Sequence, residues 1–263
     1  MSEQTLVGAV AYHPRIVTIW ERFRDYFADA RVPTDYVLYS NYERLVDALL
    51  AGEVDIAWNT NTAYVAAEER IGGGAQLLGM RDVDAAFRTV IAIRRGDSLG
   101  ELSELSGRRF ALGSRDSGHA AILPLQWVRQ AGADPNVVRF DTDLGKHGDT
   151  GDSEVRVVEA VARGDADAGA LGDATWVALR EQGHPAVADL ELAWRSPPYY
   201  HCNFTALPGF DGGAWSKALL AMPYDDPTLR PAMDLEGVRR WLPADKSGYT
   251  MLTAAMREQG YLG

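Results

Sequence analysis

Gly107-Arg-Arg-Phe-Ala-Leu-Gly-Ser-Arg-Asp-Ser-Gly-His-Ala-Ala-Ile-Leu-Pro124 is the stretch whose reading settles the fold class. Phe110-Ala111-Leu112 reads as a short buried strand, Gly113 to Gly118 as a tight polar turn, and His119 onward as a helix running through Leu123 and Trp127. A strand that breaks in a Ser/Gly turn and restarts as a helix leaves several backbone N–H groups without intrahelical partners, with the positive end of the helix dipole behind them. Such a turn is a ready cradle for an anionic group. It has a plainer use as well, with Asp116 or Ser117 serving only as the N-cap. The turn by itself leaves cradle and cap open.

Working outward, strands and helices alternate. Leu6 to Ala11, Asp35 to Tyr39 and Val54 to Trp58 read as strands, with Ile16 to Phe27 and Tyr42 to Ala51 as helices between them. Asn59-Thr60-Asn61-Thr62 caps a helix through Glu69, and strands follow at Leu77 to Gly79 and Thr89 to Arg94. The pattern restarts after Arg94: a short helix at Leu102 to Leu105, the anchor strand, a strand at Val137 to Phe140, a helix at Glu154 to Arg163, a strand at Ala166 to Leu171, a helix at Asp173 to Arg180 and a strand at Leu190 to Trp194. Alternation of this kind predicts parallel sheets with helices on both faces and ligands outside the carboxyl ends of the strands. The restart and the return near Trp194 predict two α/β lobes, one of residues 1–92 plus 195–263 and one of residues 93–194.

The chain has 263 residues, 46% apolar and 24% charged, with a net charge of −11, which excludes a nucleic-acid partner because no basic face is available to neutralise phosphates. Cys202 is the sole cysteine, so no intrachain disulfide forms. The start, Met1-Ser2-Glu3-Gln4, lacks a basic segment followed by a long apolar one, and no apolar run reaches the ~20 residues of a membrane span. The expected location is therefore cytoplasmic, with an extracytoplasmic one only if a signal segment has been removed.

Two phrases repeat one design: Leu45-Val-Asp-Ala-Leu-Leu-Ala-Gly-Glu-Val-Asp-Ile-Ala57 and Val157-Val-Glu-Ala-Val-Ala-Arg-Gly-Asp-Ala-Asp-Ala-Gly169 are each helix, glycine, acidic residue and strand. With the Thr62-Ala63-Tyr64 that follows the first, the Ser117-Gly118-His119 and Leu123-Pro124 of the anchor, the Asp173 that follows the second, and Met233-Asp-Leu-Glu-Gly-Val-Arg-Arg-Trp241 with Gly248-Tyr249, they span roughly residues 36 to 252. In these phrases the chain resembles the phosphonate- and phosphate-type solute-binding proteins of ABC transporters, within the type 2 periplasmic-binding-protein fold. The resemblance implies an α/β protein of two lobes joined by two crossover strands, with a small ligand gripped between them and tyrosines matching Tyr39 and Tyr64 in the cleft. It also implies a run of hydroxyls before Ser117-Gly118-His119 that donates to phosphonate oxygens. Here that run is Ser114-Arg115-Asp116-Ser117, with Asp116 where a neutral hydroxyl belongs. A carboxylate beside a dianion is repulsive by several kcal/mol at low effective dielectric unless Arg115 or a metal compensates. Asp116 is thus expected to exclude ordinary phosphonates.

Two functions remain open. The first is a binding protein for a small anionic or zwitterionic solute, phosphonate- or phosphate-like or a carboxylate. Its expected contacts are Ser117, Gly118 and His119 on the anion, Asp173 on any ammonium group, and Tyr12, Tyr39, Asn61, Tyr64, Arg115, Asp116, His147 and Tyr200 around them. A transporter partner is not expected without an export signal. The second is an intracellular metal-dependent enzyme on the same scaffold. In it His119, His201 and Cys202 carry the chemistry and His119, His147 and His201 hold iron, zinc or copper, since imidazole and thiolate together suit a transition metal.

Overall fold

The computed structural model describes residues 4–262, so Met1-Ser2-Glu3, on which the cytoplasmic expectation leans, and Gly263 lie outside the described residues. In chain order the elements are β1 (Thr5–Val10), α1 (Arg15–Asp29), β2 (Thr34–Tyr39), α2 (Tyr42–Leu50), β3 (Ile56–Asn59), α3 (Asn61–Ile71) and β4 (Gln76–Arg81); then β5 (Thr89–Arg94), β6 (Arg109–Leu112), α4 (Leu123–Gln130), β7 (Asn136–Arg139), α5 (Asp152–Arg163), β8 (Ala168–Gly172), α6 (Asp173–Glu181) and β9 (Leu190–Arg195). The chain closes with β10 (Asn203–Ala206), α7 (Gly213–Leu220), α8 (Arg230–Glu236), β11 (Trp241–Leu242) and α9 (Thr250–Glu258).

These elements build two sheets. The first runs β11-β4-β10-β3-β1-β2 and the second β7-β6-β8-β5-β9. Neither is purely parallel, contrary to the alternation rule: β10 runs antiparallel to both β3 and β4, and β5 antiparallel to both β8 and β9. The rule holds for strands joined by a crossover helix; β5 and β10 are entered through connections 82–88 and 196–202, which carry no crossover α-helix and do not impose a parallel direction. The chain divides into two compact units. Among the described residues, unit 1 comprises residues 4–86, 199–250 and 262; unit 2 comprises residues 87–198 and 251–261. The boundaries expected from sequence stand at 92/93 and 194/195, with the C-terminal segment whole in the first lobe.

Local chemistry explains the helices. In α1, Ile16, Ile19, Trp20, Phe23 and Phe27 recur at helical spacing and all five are buried. Asn41 caps α2 by accepting the Arg44 N–H, Thr60 caps α3 by accepting the Ala63 N–H, and α3 stops at Gly72 in the left-handed region, φ 78°. The core of unit 1 is aromatic: Phe204 of β10 meets Trp58, Trp215 and Trp241 at ring separations of 4.5, 4.8 and 5.4 Å. Unit 2 has an aliphatic core in which Val90, Val157, Val161 and Leu171 are fully buried. Gly169 admits no side chain, because a Cβ there would lie 2.5 Å from Val157 and 2.8 Å from Val161. The family-like repeat is thus a packing device, in which a small residue on the strand lets the preceding helix close on it.

Candidate functional site

The anchor turn lies at the carboxyl end of β6. Ser117 is extended (φ −79°, ψ 122°) and its hydroxyl accepts the Ala120 N–H at 3.2 Å, so it is an N-cap. One wide π turn, Gly118–Ile122, separates this cap from α4, in place of the uninterrupted α-helix expected from His119. Pro124 supplies the reason. An α-helix would have its N–H bond the Ala120 carbonyl; proline has none, and that carbonyl accepts the Gly113 N–H instead, at 2.9 Å. The turn is drawn back onto the strand end, and Ser114, Ser117 and His119 are buried side by side.

Around this turn the polar groups sort into two sets. In the first, three hydroxyls converge on the Asp143 carboxylate: Ser114 donates to Oδ1, while Thr150 and Ser153 donate to Oδ2 at 3.0 and 3.2 Å. The Asp143 N–H returns to Ser114 Oγ at 3.1 Å. In the second, Glu154 accepts the Gly172 N–H at 2.5 Å and the Thr175 hydroxyl at 3.0 Å, and its Oε2 lies 3.4 Å from His119 Nε2. His119 Nδ1 is 3.4 Å from Ser117 Oγ, and Phe87 packs on the imidazole with ring centroids 5.4 Å apart. Burial pushes the His119 pKa down, but Glu154, helped by Asp149 and Asp143, more than offsets this and leaves it above the ordinary histidine value. Gly148 closes over the second set; at φ 90°, a Cβ on it would lie 2.8 Å from Ser117 Oγ and 2.9 Å from the His119 ring. Ser153 and Glu154 were missed by the sequence reading. The available signal was Ser153-Glu154 at the start of the helix after a glycine-rich loop.

The other expected contacts in unit 2 are committed to protein partners. Arg115 pairs with Asp141 through its backbone N–H (2.8 Å), its Nε (2.9 Å) and its Nη2, on the surface. Asp116 is turned to the Gly145 N–H at 2.5 Å, with His147 Nε2 3.9 Å away. Asp173 accepts Arg195 at 2.9 Å. Gly118 is the first residue of the wide turn.

In unit 1, Tyr64 is buried with its ring 4.5 Å from that of Tyr249, and burial raises its pKa strongly. Tyr200 packs its ring on Gly248, where a Cβ would clash with the ring atoms, and Asn61 Nδ2 donates to the Tyr200 carbonyl at 3.3 Å. Tyr39 is half-buried against the Leu45 cluster, and Tyr12 lies under the Arg15 guanidinium at 5.8 Å. Asn59, at the carboxyl end of β3, is fully buried, and neither atom of its amide has a hydrogen-bond partner among the described residues.

His201 and Cys202 form a third set, within unit 1, whereas His119 and His147 belong to unit 2. His201 Nδ1 lies 3.0 Å from Cys202 Sγ and 3.5 Å from Asp84 Oδ1. These three ligand-type atoms lie within 4.8 Å of one another and all are buried. The same Asp84 is gripped by Arg81 through Nε at 2.6 Å and Nη2 at 2.9 Å, and Arg81 also reaches Glu236 at 3.3 Å. Burial alone would raise the Asp84 pKa, yet the guanidinium overrides it and holds the carboxyl at about 2.

Comparison with known proteins agrees with this architecture. Residues 9–249 match the family described as ABC transporter, phosphonate, periplasmic substrate-binding protein. The probable ABC transporter phosphite binding protein PhnD1 of Prochlorococcus marinus (strain MIT 9301) is 23% identical over 231 residues, 83% of this chain and 76% of that protein. The solved structure of that organism's PhnD1 in complex with methylphosphonate superposes with a TM-score of 0.75 at 20% identity, covering 97% of this chain and 98% of the other. XAC2383 of Xanthomonas citri, solved bound to ATP, gives a TM-score of 0.76 at 19% identity, with 99% of each chain covered. With its two units and mixed sheets, and with that match over nearly its whole length, this chain belongs to the periplasmic substrate-binding proteins of phosphonate-type ABC transporters and has the two-lobed type 2 fold.

Proposed function

We propose that this chain captures a small phosphonate-class oxyanion, such as methylphosphonate or phosphite, at the unit 2 loops that follow β6 and precede α5. The observation that carries the reading is the hydroxyl set of Ser114, Thr150 and Ser153, which already surrounds a carboxylate, itself an oxyanion. His119, held by Glu154, follows on the same turn as Ser114, and the methylphosphonate complex of the relative supports the ligand class. Isothermal titration calorimetry with methylphosphonate, phosphite and methanesulfonate tests this, with arginine as the cationic control. Heat of binding from arginine alone would sink it.

The family is periplasmic, so the cytoplasmic expectation finds no support, and neither does the reservation about a transporter partner. We read the site of action as extracytoplasmic and the partner as an ABC transporter. The alternative of a metal-dependent enzyme gains nothing from the relatives, which are named for solute binding. The Asp84, His201 and Cys202 group reads best as an ion network, because Arg81 already neutralises Asp84 and a dication there would sit beside a fixed guanidinium. Elemental analysis of protein purified without a nickel column checks this: stoichiometric zinc, copper or iron that is lost in Cys202→Ala would restore the metal reading.

A further inference from the structure

The hydroxyl cradle carries an occupant of its own. Its three donors come from three places, Ser114 at the end of β6, Thr150 in the loop and Ser153 in the first turn of α5, and all three are directed at one Asp143 carboxylate. The N-cap position of α5 is Gly151, the Asp152 N–H is taken by the Thr150 hydroxyl at 3.3 Å, and through Ser153 the carboxylate lies at the same helix end, where the positive end of the dipole favours an anion. The loop is bent to bring it there. Gly145, His147, Gly148 and Gly151 all adopt left-handed backbone, at φ 77°, 54°, 90° and 76°, and Asp116 pins the middle of the loop through the Gly145 N–H. His147 is the costly one, since a side chain at that φ is strained. A loop that tolerates this strain to seat one carboxylate among three hydroxyls reproduces, from inside the chain, the chemistry of an oxyanion complex.

We infer that Asp143 is an internal stand-in for the ligand's anionic head, and that a free oxyanion enters the cradle of Ser114, Thr150 and Ser153 only by displacing it together with loop 141–150. This rests on the proposed location of the anion site. Asp143 is then a specificity-determining residue. A carboxylate on a short tether competes at an effective concentration of millimolar order or more, so only oxyanions that bind these donors better than a carboxylate does are retained. Doubly charged phosphonate-type heads pass that test, and simple carboxylates do not.

Asp143→Asn keeps the side-chain shape and removes the charge. By calorimetry it is expected to bind methylphosphonate about tenfold tighter or more than the unmutated protein, and to gain measurable affinity for acetate. Equal or weaker methylphosphonate binding by a variant with an unchanged melting temperature would overturn the inference. A second measurement needs no variant. Hydrogen exchange of the unmutated protein with saturating methylphosphonate is expected to quicken across residues 141–150, and unchanged or slower exchange there overturns the displacement. If arginine binds and no oxyanion binds to either protein, the location of the anion site falls first, an outcome distinct from oxyanion binding that ignores Asp143.

Discussion

Two buried carboxylates set opposite pH signatures. Glu154 raises the His119 pKa, so the stabilisation from their pair is fully present below the unfolded histidine value of about 6.5 and is lost as pH rises through the higher folded value. Chemical denaturation from about pH 5 to 9 is expected to show a stability gap between the unmutated protein and Glu154→Gln that narrows as pH rises, on the order of 1–2 kcal/mol at its widest. A gap that widens with pH would contradict the pairing. Asp84 behaves in the reverse sense: its contribution is present above the unfolded value of about 3.9 and disappears as pH falls towards about 2. Its partner Arg81 also serves Glu236, so Arg81→Met leaves two buried carboxylates uncompensated and should cost about 3–5 kcal/mol in equilibrium unfolding. None of these partnerships was legible along the chain. Glu154 lies far from His119 in sequence, and Asp116 and Arg115, whose residue types suggested ligand contacts, were turned to Gly145 and Asp141 by a loop whose bend no local pattern announces.

At the scale of elements, the anchor is a strand, a capped turn, a π turn and a helix, and its parts are separable by mutation. Ser117→Ala removes the cap and should lower stability by about 1 kcal/mol, with a loss of oxyanion affinity only if the hydroxyl also serves the site. Gly148→Ala should cost about 1–3 kcal/mol, because its Cβ would meet Ser117 and His119 and its φ of 90° disfavours a side chain. Thermal melts of the two variants, read beside calorimetry, separate structure from binding. The C-terminal element belongs to the same set. Gln259 donates to the Ile122 carbonyl at 2.9 Å, Tyr261 to the Arg115 carbonyl at 2.7 Å, and Trp127 meets Met251 Sδ at 3.1 Å. Truncation after Thr250 is expected to lower the melting temperature of unit 2 by several degrees, which scanning calorimetry of the shortened chain measures. The sequence reading had this segment in the other lobe. An amphipathic helix shows which face it buries and not which core receives it.

For the whole molecule, binding appears as stability, since a ligand at about 100 times its Kd adds about 2.7 kcal/mol to unfolding. Methylphosphonate should therefore raise the melting temperature of this chain in a concentration-dependent way, and arginine should not. Alternation of strand and helix, the buried strand before Gly113, and the two helix-glycine-acidic-strand phrases determined the fold class from sequence alone, because each depends on neighbours a few residues apart. The ends of most elements followed to within two residues, through caps such as Thr60 and stops such as Gly72. Strand direction, unit boundaries and the fate of every candidate side chain required the tertiary structure. Direction in a mixed sheet is chosen by hydrogen bonding to strands distant in sequence, as when β10 slots between β3 and β4. Ser117 of the anchor turn is the cap that its residue type allowed. Only the folded chain shows that Asp143, brought back by the loop after β7, already sits among the hydroxyls that an anion would use, because a hydrogen-bond partner is set by proximity in space, which local spacing does not encode.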